Sequence, residues 1–64
     1  MLPQPKYVRI DTVARHLDIS TRTVRRLIDR GDLIAIKITP GCLRVDWQSV
    51  LDFEVKKRQE AVNE

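Results

Sequence analysis

The chain has almost none of the residues with which small proteins stabilise themselves covalently or through metals. Among its 64 residues, Cys42 is the single cysteine and His16 the single histidine. One cysteine cannot form an intrachain disulfide, and one cysteine with one histidine cannot supply the four protein ligands of a structural zinc site. A domain of this size buries only about 60% of its unfolded surface, so the fold must depend on packing or on a partner.

Long apolar runs and motifs of catalysis are also missing. No segment approaches the roughly 20 apolar residues of a membrane span, and the N-terminus lacks the apolar stretch of a signal peptide. No nucleophile lies at a motif spacing from a base, and there is no metal-ligand cluster or glycine-rich phosphate loop. We therefore expect a cytoplasmic protein that is not an enzyme and has no cofactor, metal or membrane partner.

The sequence carries instead a localised excess of positive charge. Its net charge is +3, from 12 lysines and arginines against 9 acidic residues. Residues 20–45 hold six basic and two acidic residues, a net +4, whereas the rest of the chain sums to −1. A basic region of this kind is typical of a protein that contacts phosphate groups.

The excess begins in a short amphipathic segment, residues 20–30. Its apolar residues Val24, Leu27 and Ile28 recur at helical spacing and define a buried face. The opposite face carries Thr21, Arg22, Arg25, Arg26 and Asp29. Ser20 is a typical N-cap residue and Gly31 suits the left-handed position after the last turn, so we predict a helix over about residues 21–30.

A second amphipathic segment, residues 12–17, precedes this helix. Asp11 is the predicted cap, and Ile10 before it can pack onto the first turn as a hydrophobic staple. Only Asp18 and Ile19 separate the two predicted helices. Two short helices joined by a tight turn, the second of them basic, are typical of a helix-turn-helix that places its second helix in the DNA major groove.

The periodicity changes after the second helix. Residues 33–38 form a β-branched run, residues 39–41 are a Thr-Pro-Gly turn signal and residues 42–45 form a second strand-like run, which together predict a β-hairpin. Asp46 is a candidate cap for a helix that runs from Trp47 to about Arg58. A hairpin directly after a recognition helix is a wing, so the predicted fold is α+β, a small winged helix-turn-helix.

We predict a single domain over residues 1–64, with residues 1–6 and 59–64 flexible at its ends. Residues 6–10 can form a short strand or be merely extended. The candidate core residues are apolar positions of the predicted elements: Val13, Ala14, Leu17, Ile19, Val24, Leu27, Ile28, Leu33, Ile36, Leu43, Val45, Trp47, Val50 and Leu51.

Short motifs in these elements match a known family over about residues 7–58. The anchors are Val13-Ala-Arg-His-Leu17 in the first helix, Ile19-Ser-Thr-Arg-Thr-Val-Arg-Arg-Leu-Ile28 in the second, Asp29-Arg-Gly-Asp-Leu33 after it, and Leu43-Arg-Val-Asp-Trp47 at the end of the hairpin. On these residues the chain resembles the excisionases, or recombination directionality factors, within the MerR-like superfamily of winged helix-turn-helix proteins. Many members have glycine at the position of Asp18, and aspartate tolerates the left-handed conformation better than most residues.

The resemblance implies an architectural function on DNA. Free-standing members of this size bind several neighbouring sites on double-stranded DNA, bend it and promote excision by a tyrosine integrase. It implies a phage-encoded or integrative-element-encoded protein of the bacterial nucleoid, whose partners are DNA, an integrase and neighbouring copies of itself. MerR-type regulators dimerise through a long helix after this domain. The chain is too short for that helix and shows no leftover apolar stripe, so we expect a monomer in solution.

The candidate DNA-binding residues lie in the second helix and the wing. They are Ser20, Thr21, Arg22, Thr23, Arg25, Arg26, Lys37 and Arg44. Arginine binds guanine bidentately or clamps phosphate, and the sequence leaves open which of these each arginine does. Ser20 is a cap first, and Thr23 is equally consistent with a structural role.

Two other functions remain open. The same surface can belong to a small transcriptional repressor or activator, for which a stable dimer on one palindromic operator is the expected sign. Alternatively, the basic helix can dock an acidic protein partner, in which case DNA is not bound.

Overall fold

The structure, a computed structural model, describes residues 6–62. Its elements in chain order are β1 (Tyr7–Val8), α1 (Ile10–Leu17), α2 (Thr21–Asp29), β2 (Ala35–Thr39), β3 (Cys42–Asp46) and α3 (Trp47–Val62). The predicted α+β winged helix-turn-helix is confirmed. Of the ends predicted to be flexible, residues 1–6 and 59–64, the outermost residues 1–5 and 63–64 lie outside the described residues.

The three strands form one antiparallel sheet in the order β1-β3-β2. β1 is a two-residue strand that pairs Tyr7 with Asp46 and Val8 with Val45. β2 and β3 form the predicted hairpin, whose register places Ile36 opposite Arg44 and Lys37 opposite Leu43. β3 is therefore the central strand, and β2 is a free edge.

Both helices of the helix-turn-helix end in the same type of turn. Asp18 has φ 56°, and the N–H of Ile19 donates to the carbonyl of Ala14 at 2.9 Å. Gly31 has φ 85° and follows α2 in the same way. The left-handed residue lets the following N–H reach a carbonyl five residues back, which satisfies the helix end. The predicted left-handed roles of Asp18 and Gly31 are confirmed.

The predicted start of the helix is confirmed for α2 and α3 and is wrong for α1. The Ser20 Oγ accepts the Thr23 N–H at 3.1 Å, and the Asp46 carboxylate accepts the Gln48 N–H at 3.1 Å, as expected of N-terminal caps. Asp11 does not cap α1. The helix begins two residues earlier than predicted because Arg9 takes the extended cap conformation, without a side-chain hydrogen bond, and Ile10 packs against the core.

α3 also continues beyond its predicted end near Arg58. It runs to Val62 through a polar stretch. Lys57 and Glu60 form an ion pair of 3.0 Å across one turn of this stretch. Pairs at this spacing stabilise an exposed helix by a few tenths of a kcal/mol. The prediction used the spacing of apolar residues, which does not detect such polar pairs.

The core lies between the helices and one face of the sheet. Its buried apolar residues are Val13, Ala14, Val24, Leu33, Val45 and Val50. Half-buried side chains surround them, among them the predicted Leu17, Ile19, Leu27, Ile28 and Trp47 and the unpredicted Val8, Ile10 and Phe53. Leu43 is half-buried.

Ile36 and Leu51 were predicted in the core, and the structure leaves both exposed at 37%. Ile36 lies opposite Arg44, on the sheet face away from the buried Val45, because successive side chains of a strand point to opposite faces. Leu51 follows the buried Val50 on α3, and the rotation of about 100° between the two residues places Leu51 toward the solvent.

An apolar row remains exposed on β2 and just before it. Ile34, Ile36 and Ile38 are exposed at 57%, 37% and 52%. The register of β2 on β3 is irregular between Lys37 and Thr39, next to the last of them. The expectation that no apolar stripe is left over beyond the core was therefore wrong. The monomeric state that it supported stays a prediction.

Hydrogen bonds tie the open end of the hairpin to α3. The buried Ser49 hydroxyl donates to the Asp46 carbonyl at 2.6 Å and accepts the Ile34 N–H at 3.1 Å. The Asp46 N–H also donates to the Ile34 carbonyl at 2.8 Å. The base of the wing is thus fixed to the helix that follows it.

Within residues 6–62, no helix is long and apolar enough to cross a bilayer. In the same range, no three His, Cys, Asp or Glu side chains are grouped so that they could hold a metal ion.

Candidate nucleic-acid interface

The solvent side of α2 is an arginine face made of Arg22, Arg25 and Arg26, all exposed. The spacing of three and four residues brings these side chains to one side of the helix, whereas Val24 on the other side is fully buried. None of the three forms an ion pair with another residue in the described range. A nine-residue helix is roughly 13 Å long, which suits the major groove.

The three hydroxyl residues at the start of α2 have different environments. The Ser20 Oγ receives the Thr23 N–H and lies 2.9 Å from the Thr23 Oγ1. Thr23 is half-buried, so its hydroxyl is engaged in capping the helix together with Ser20. Thr21 is exposed, and its hydroxyl belongs to no hydrogen bond within the described part of the chain.

The two candidate cations of the wing lie on opposite faces of the hairpin. Lys37 is exposed on β2 and pairs with Leu43, whereas Arg44 on β3 pairs with Ile36. Arg44 is half-buried, and its Nη1 donates to the Leu43 carbonyl at 2.8 Å. The wing therefore does not present Lys37 and Arg44 as a single cationic pair.

A cleft on the surface brings some of the candidate DNA-binding residues together. It lies between the starts of α1 and α2 and the turn of the wing and has a volume of about 360 Å³. It brings together Thr21, Arg25 and Arg44, and it adds Arg9, which sequence analysis missed. Arg22, Arg26 and Lys37 lie outside it.

Arg9 could have been found from the sequence once β1 is accepted as a strand. The last β1–β3 pair is Val8 with Val45, so Arg9, the residue after β1, lies near β3, and it lines the same cleft as Arg44. The sequence pattern left residues 6–10 undecided between strand and extended chain, so the proximity of Arg9 to the wing could not be predicted.

His16 has a structural environment. It is on the surface, as predicted, where its ring contacts the Glu54 carboxylate and meets the Trp47 ring edge-on at a centroid distance of 4.7 Å. These contacts join α1 to α3. Arg15, another exposed cation of α1, pairs with Asp11 at 3.7 Å.

Known proteins match this arrangement. The helix-turn-helix domain family matches residues 7–53, which include α1, α2, the wing and the first two turns of α3. The excisionase of Mycobacterium phage D29 is 41% identical over 46 residues, which make up 72% of this chain and 82% of the phage protein. In a helix-turn-helix the second helix is the one that enters the major groove, and in this chain the corresponding helix is α2. The chain belongs to the helix-turn-helix domain family as an excisionase-like DNA-binding protein.

Proposed function

We propose that this protein is an excisionase that binds adjacent DNA sites, bends the duplex and promotes integrase-mediated excision of a mobile element. The observation that carries the proposal is the 41% identity to a phage excisionase over 82% of that protein's length. The protein supplies no chemistry of its own in this scheme. A tyrosine integrase breaks and rejoins the strands, and this protein shapes the DNA on which the integrase acts.

The arginine face of α2 supplies the first contact. Arg22, Arg25 and Arg26 enter the major groove, where a guanidinium can bind the O6 and N7 of guanine or clamp a phosphate. Thr21 adds a free hydroxyl at the start of the same helix. The wing contacts the backbone or the adjacent minor groove through Lys37 on one face and Arg44 on the other.

Adjacent binding follows from the small size of this surface. One domain with a nine-residue recognition helix makes few phosphate contacts, so binding to a single site is weak and strongly salt-dependent. Copies on neighbouring sites supply the missing affinity through contacts with one another. Their successive grooves then bend the duplex, which brings the integrase sites together on the nucleoid of the bacterial host.

The alternative is a small transcriptional regulator that uses the same helix. The helix-turn-helix match over residues 7–53 favours DNA binding without specifying excision. The wing after the recognition helix also supports a place in the MerR-like superfamily, which contains regulators. A regulator of this type would occupy one symmetric operator and leave it without the bend that excision requires.

The decisive experiment combines footprinting with an excision assay. Purified protein is footprinted on the attachment region of the element that encodes it, and bending is measured by circular-permutation gel shifts. Excision is then reconstituted with the integrase of the same element. We expect a protected array of adjacent sites, a bend, and excision that depends on this protein.

A matched pair of variants separates DNA recognition from nonspecific charge. Arg26→Ala removes an arginine of the recognition face, and Arg58→Ala removes an exposed arginine of α3 with the same change in net charge. Excision should fall with Arg26→Ala and persist with Arg58→Ala. Protection of a single unbent palindrome, with excision unaffected by the protein, would overturn the proposal in favour of the regulator.

A further inference from the structure

Three arginines from three separate elements converge on the cleft between α1, α2 and the wing. Arg9 precedes α1, Arg25 lies on α2 and Arg44 lies on β3, and all three line the same cleft of about 360 Å³. We propose that this cleft is a binding site for one phosphate of the DNA backbone, with Arg9 as a ligand additional to the recognition helix and wing. The proposal rests on the proposed DNA binding and specifies which part of the DNA this site holds.

The three arginines of the cleft form no ion pair within the described residues. Arg9 and Arg25 form no ion pair with any residue between 6 and 62, and Arg44 bonds a neutral backbone carbonyl. Arg9, Arg25 and Arg44 line one cleft, and like charges that share a site repel one another. An anion bound between these side chains would offset that repulsion.

One acidic residue also lines the cleft, and its charge is already directed elsewhere. The Asp11 carboxylate lies 3.7 Å from the Arg15 guanidinium, one helical turn further along α1. With Asp11 paired to Arg15, the cleft keeps three arginines for an incoming anion. This pairing also accounts for an aspartate that sits at the start of α1 without capping it.

Neutral donors add to the site. No side chain caps α1 after Arg9, so the first N–H groups of the helix lack the side-chain acceptor that Ser20 provides for α2. The exposed Thr21 hydroxyl lies on the same cleft wall. Helix-terminal amides, hydroxyls and arginines are the donors that position DNA phosphates.

The position of the cleft favours a DNA phosphate over an acidic side chain of another protein. Its walls are the start of the recognition helix and the turn of the wing, which are the two elements proposed to enter neighbouring grooves. The backbone strand between two adjacent grooves must pass between those elements. The guanidinium fork also matches two phosphate oxygens at once, and the remaining N–H groups of Arg44 are free to take part.

The test compares Arg9→Ala with Arg58→Ala, which makes the same change in net charge on exposed α3. Fluorescence anisotropy with a random-sequence duplex and with a duplex obtained by in vitro selection gives the affinity over a range of salt. We expect Arg9→Ala to weaken binding to both duplexes about tenfold, the loss of one charge-assisted contact. The slope of log K against log salt should become shallower by about 0.9, the value for one phosphate. Arg58→Ala should change both quantities much less.

A second measurement locates the phosphate. In the selected duplex, single phosphates are replaced one at a time by neutral methylphosphonates. We expect one linkage whose replacement weakens the wild-type protein and has no further effect on Arg9→Ala. Arg9→Lys should keep the salt slope and lose part of the affinity, because an ammonium retains the charge without the fork.

The outcomes distinguish the cleft from the proposed function. If the wild type binds both duplexes and Arg9→Ala behaves like Arg58→Ala, the phosphate site is overturned and an acidic protein partner becomes the better occupant. A loss confined to the selected sequence would overturn it too, since that result identifies Arg9 as a base reader. If the wild type binds neither duplex, the proposed function itself fails. Circular dichroism and Trp47 fluorescence check that each variant is folded.

Discussion

At the scale of single residues, the arginines of α2 share a face but differ in their surroundings. Arg25 lines the cleft beside the wing, whereas Arg22 and Arg26 do not. Two roles follow from this difference. We expect Arg25 to contact the DNA backbone and Arg22 and Arg26 to contact base edges further along the groove.

Alanine substitutions should separate these roles. Arg22→Ala and Arg26→Ala should each cost on the order of 1–3 kcal/mol on the preferred site and relax specificity at one base pair. Arg25→Ala should weaken all sequences alike, because phosphate contacts carry no sequence information. Gel-shift titration of the selected site and its single-base variants measures both effects. If all three variants bound like wild type, the arginine face would not be the DNA surface.

The wing gives a second prediction at this scale. Charge reversal by Lys37→Glu or Arg44→Glu should lower DNA affinity without unfolding the domain, because neither side chain is in the core. Arg44→Glu should have the larger effect, since it places a carboxylate in the cleft beside Arg9 and Arg25. Native circular dichroism with unchanged affinity in both variants would reduce the hairpin to a scaffold.

Side chains whose role depends on nearby residues in the sequence could be predicted. The face shared by Arg22, Arg25 and Arg26 follows from helical periodicity, and the capping role of Ser20 follows from its residue type just before the first turn. Arg9 escaped because its position depends on pairing with β3, more than thirty residues away. The sequence left Thr23 open, and the hydrogen bonds to Ser20 identify a structural role.

At the scale of elements, the turns were easier to predict than the buried faces of the helices and strands. Asp18 and Gly31 mark left-handed turns by their own chemistry, and the structure has both. The assignment of Ile36 and Leu51 to the core failed because a strand or a helix has several apolar residues and the sequence alone does not say which of them turn inward. That choice is made by tertiary packing, through the register of β2 on β3 and the rotation of α3.

Two leucines allow the difference between buried and exposed apolar residues to be measured. Leu33 is 2% exposed in the core, whereas Leu51 is 37% exposed on α3. Leu33→Ala should cost about 2–5 kcal/mol, which is comparable with the whole stability of so small a domain. Leu51→Ala, with the same change in composition, should cost less than about 1 kcal/mol. Urea unfolding followed by Trp47 fluorescence gives both values, and equal midpoints for the two variants would contradict the core described above.

At the scale of the whole molecule, positive charge and exposed apolar surface occur in the same region of the chain. Residues 20–45 carry the positive excess of the chain. The same region includes the exposed Ile34, Ile36 and Ile38, of which Ile36 lies on the opposite sheet face from the buried Val45. A small domain therefore presents a basic surface and an apolar strand edge together.

We expect the free protein to be a monomer that associates only on DNA. Sedimentation velocity should show one species whose coefficient does not change with concentration. On a duplex with several sites, binding should be cooperative and should weaken steeply as salt is raised. A stable dimer in solution that protects one symmetric operator would contradict this expectation and favour the regulator.

The buried hydroxyl of Ser49 has a consequence for how force is shared between protein and DNA. By bonding Ile34 and Asp46 at the root of the hairpin, it fixes the base of the wing to α3. In the proposed bending we therefore expect the duplex, and not the protein, to change shape. A bend of 40–90° costs duplex DNA about 1–6 kcal/mol, an amount that a few well-placed contacts can supply. A protein with a wing fixed in this way would act as a template, and the geometry of the protein would determine the curvature of the DNA.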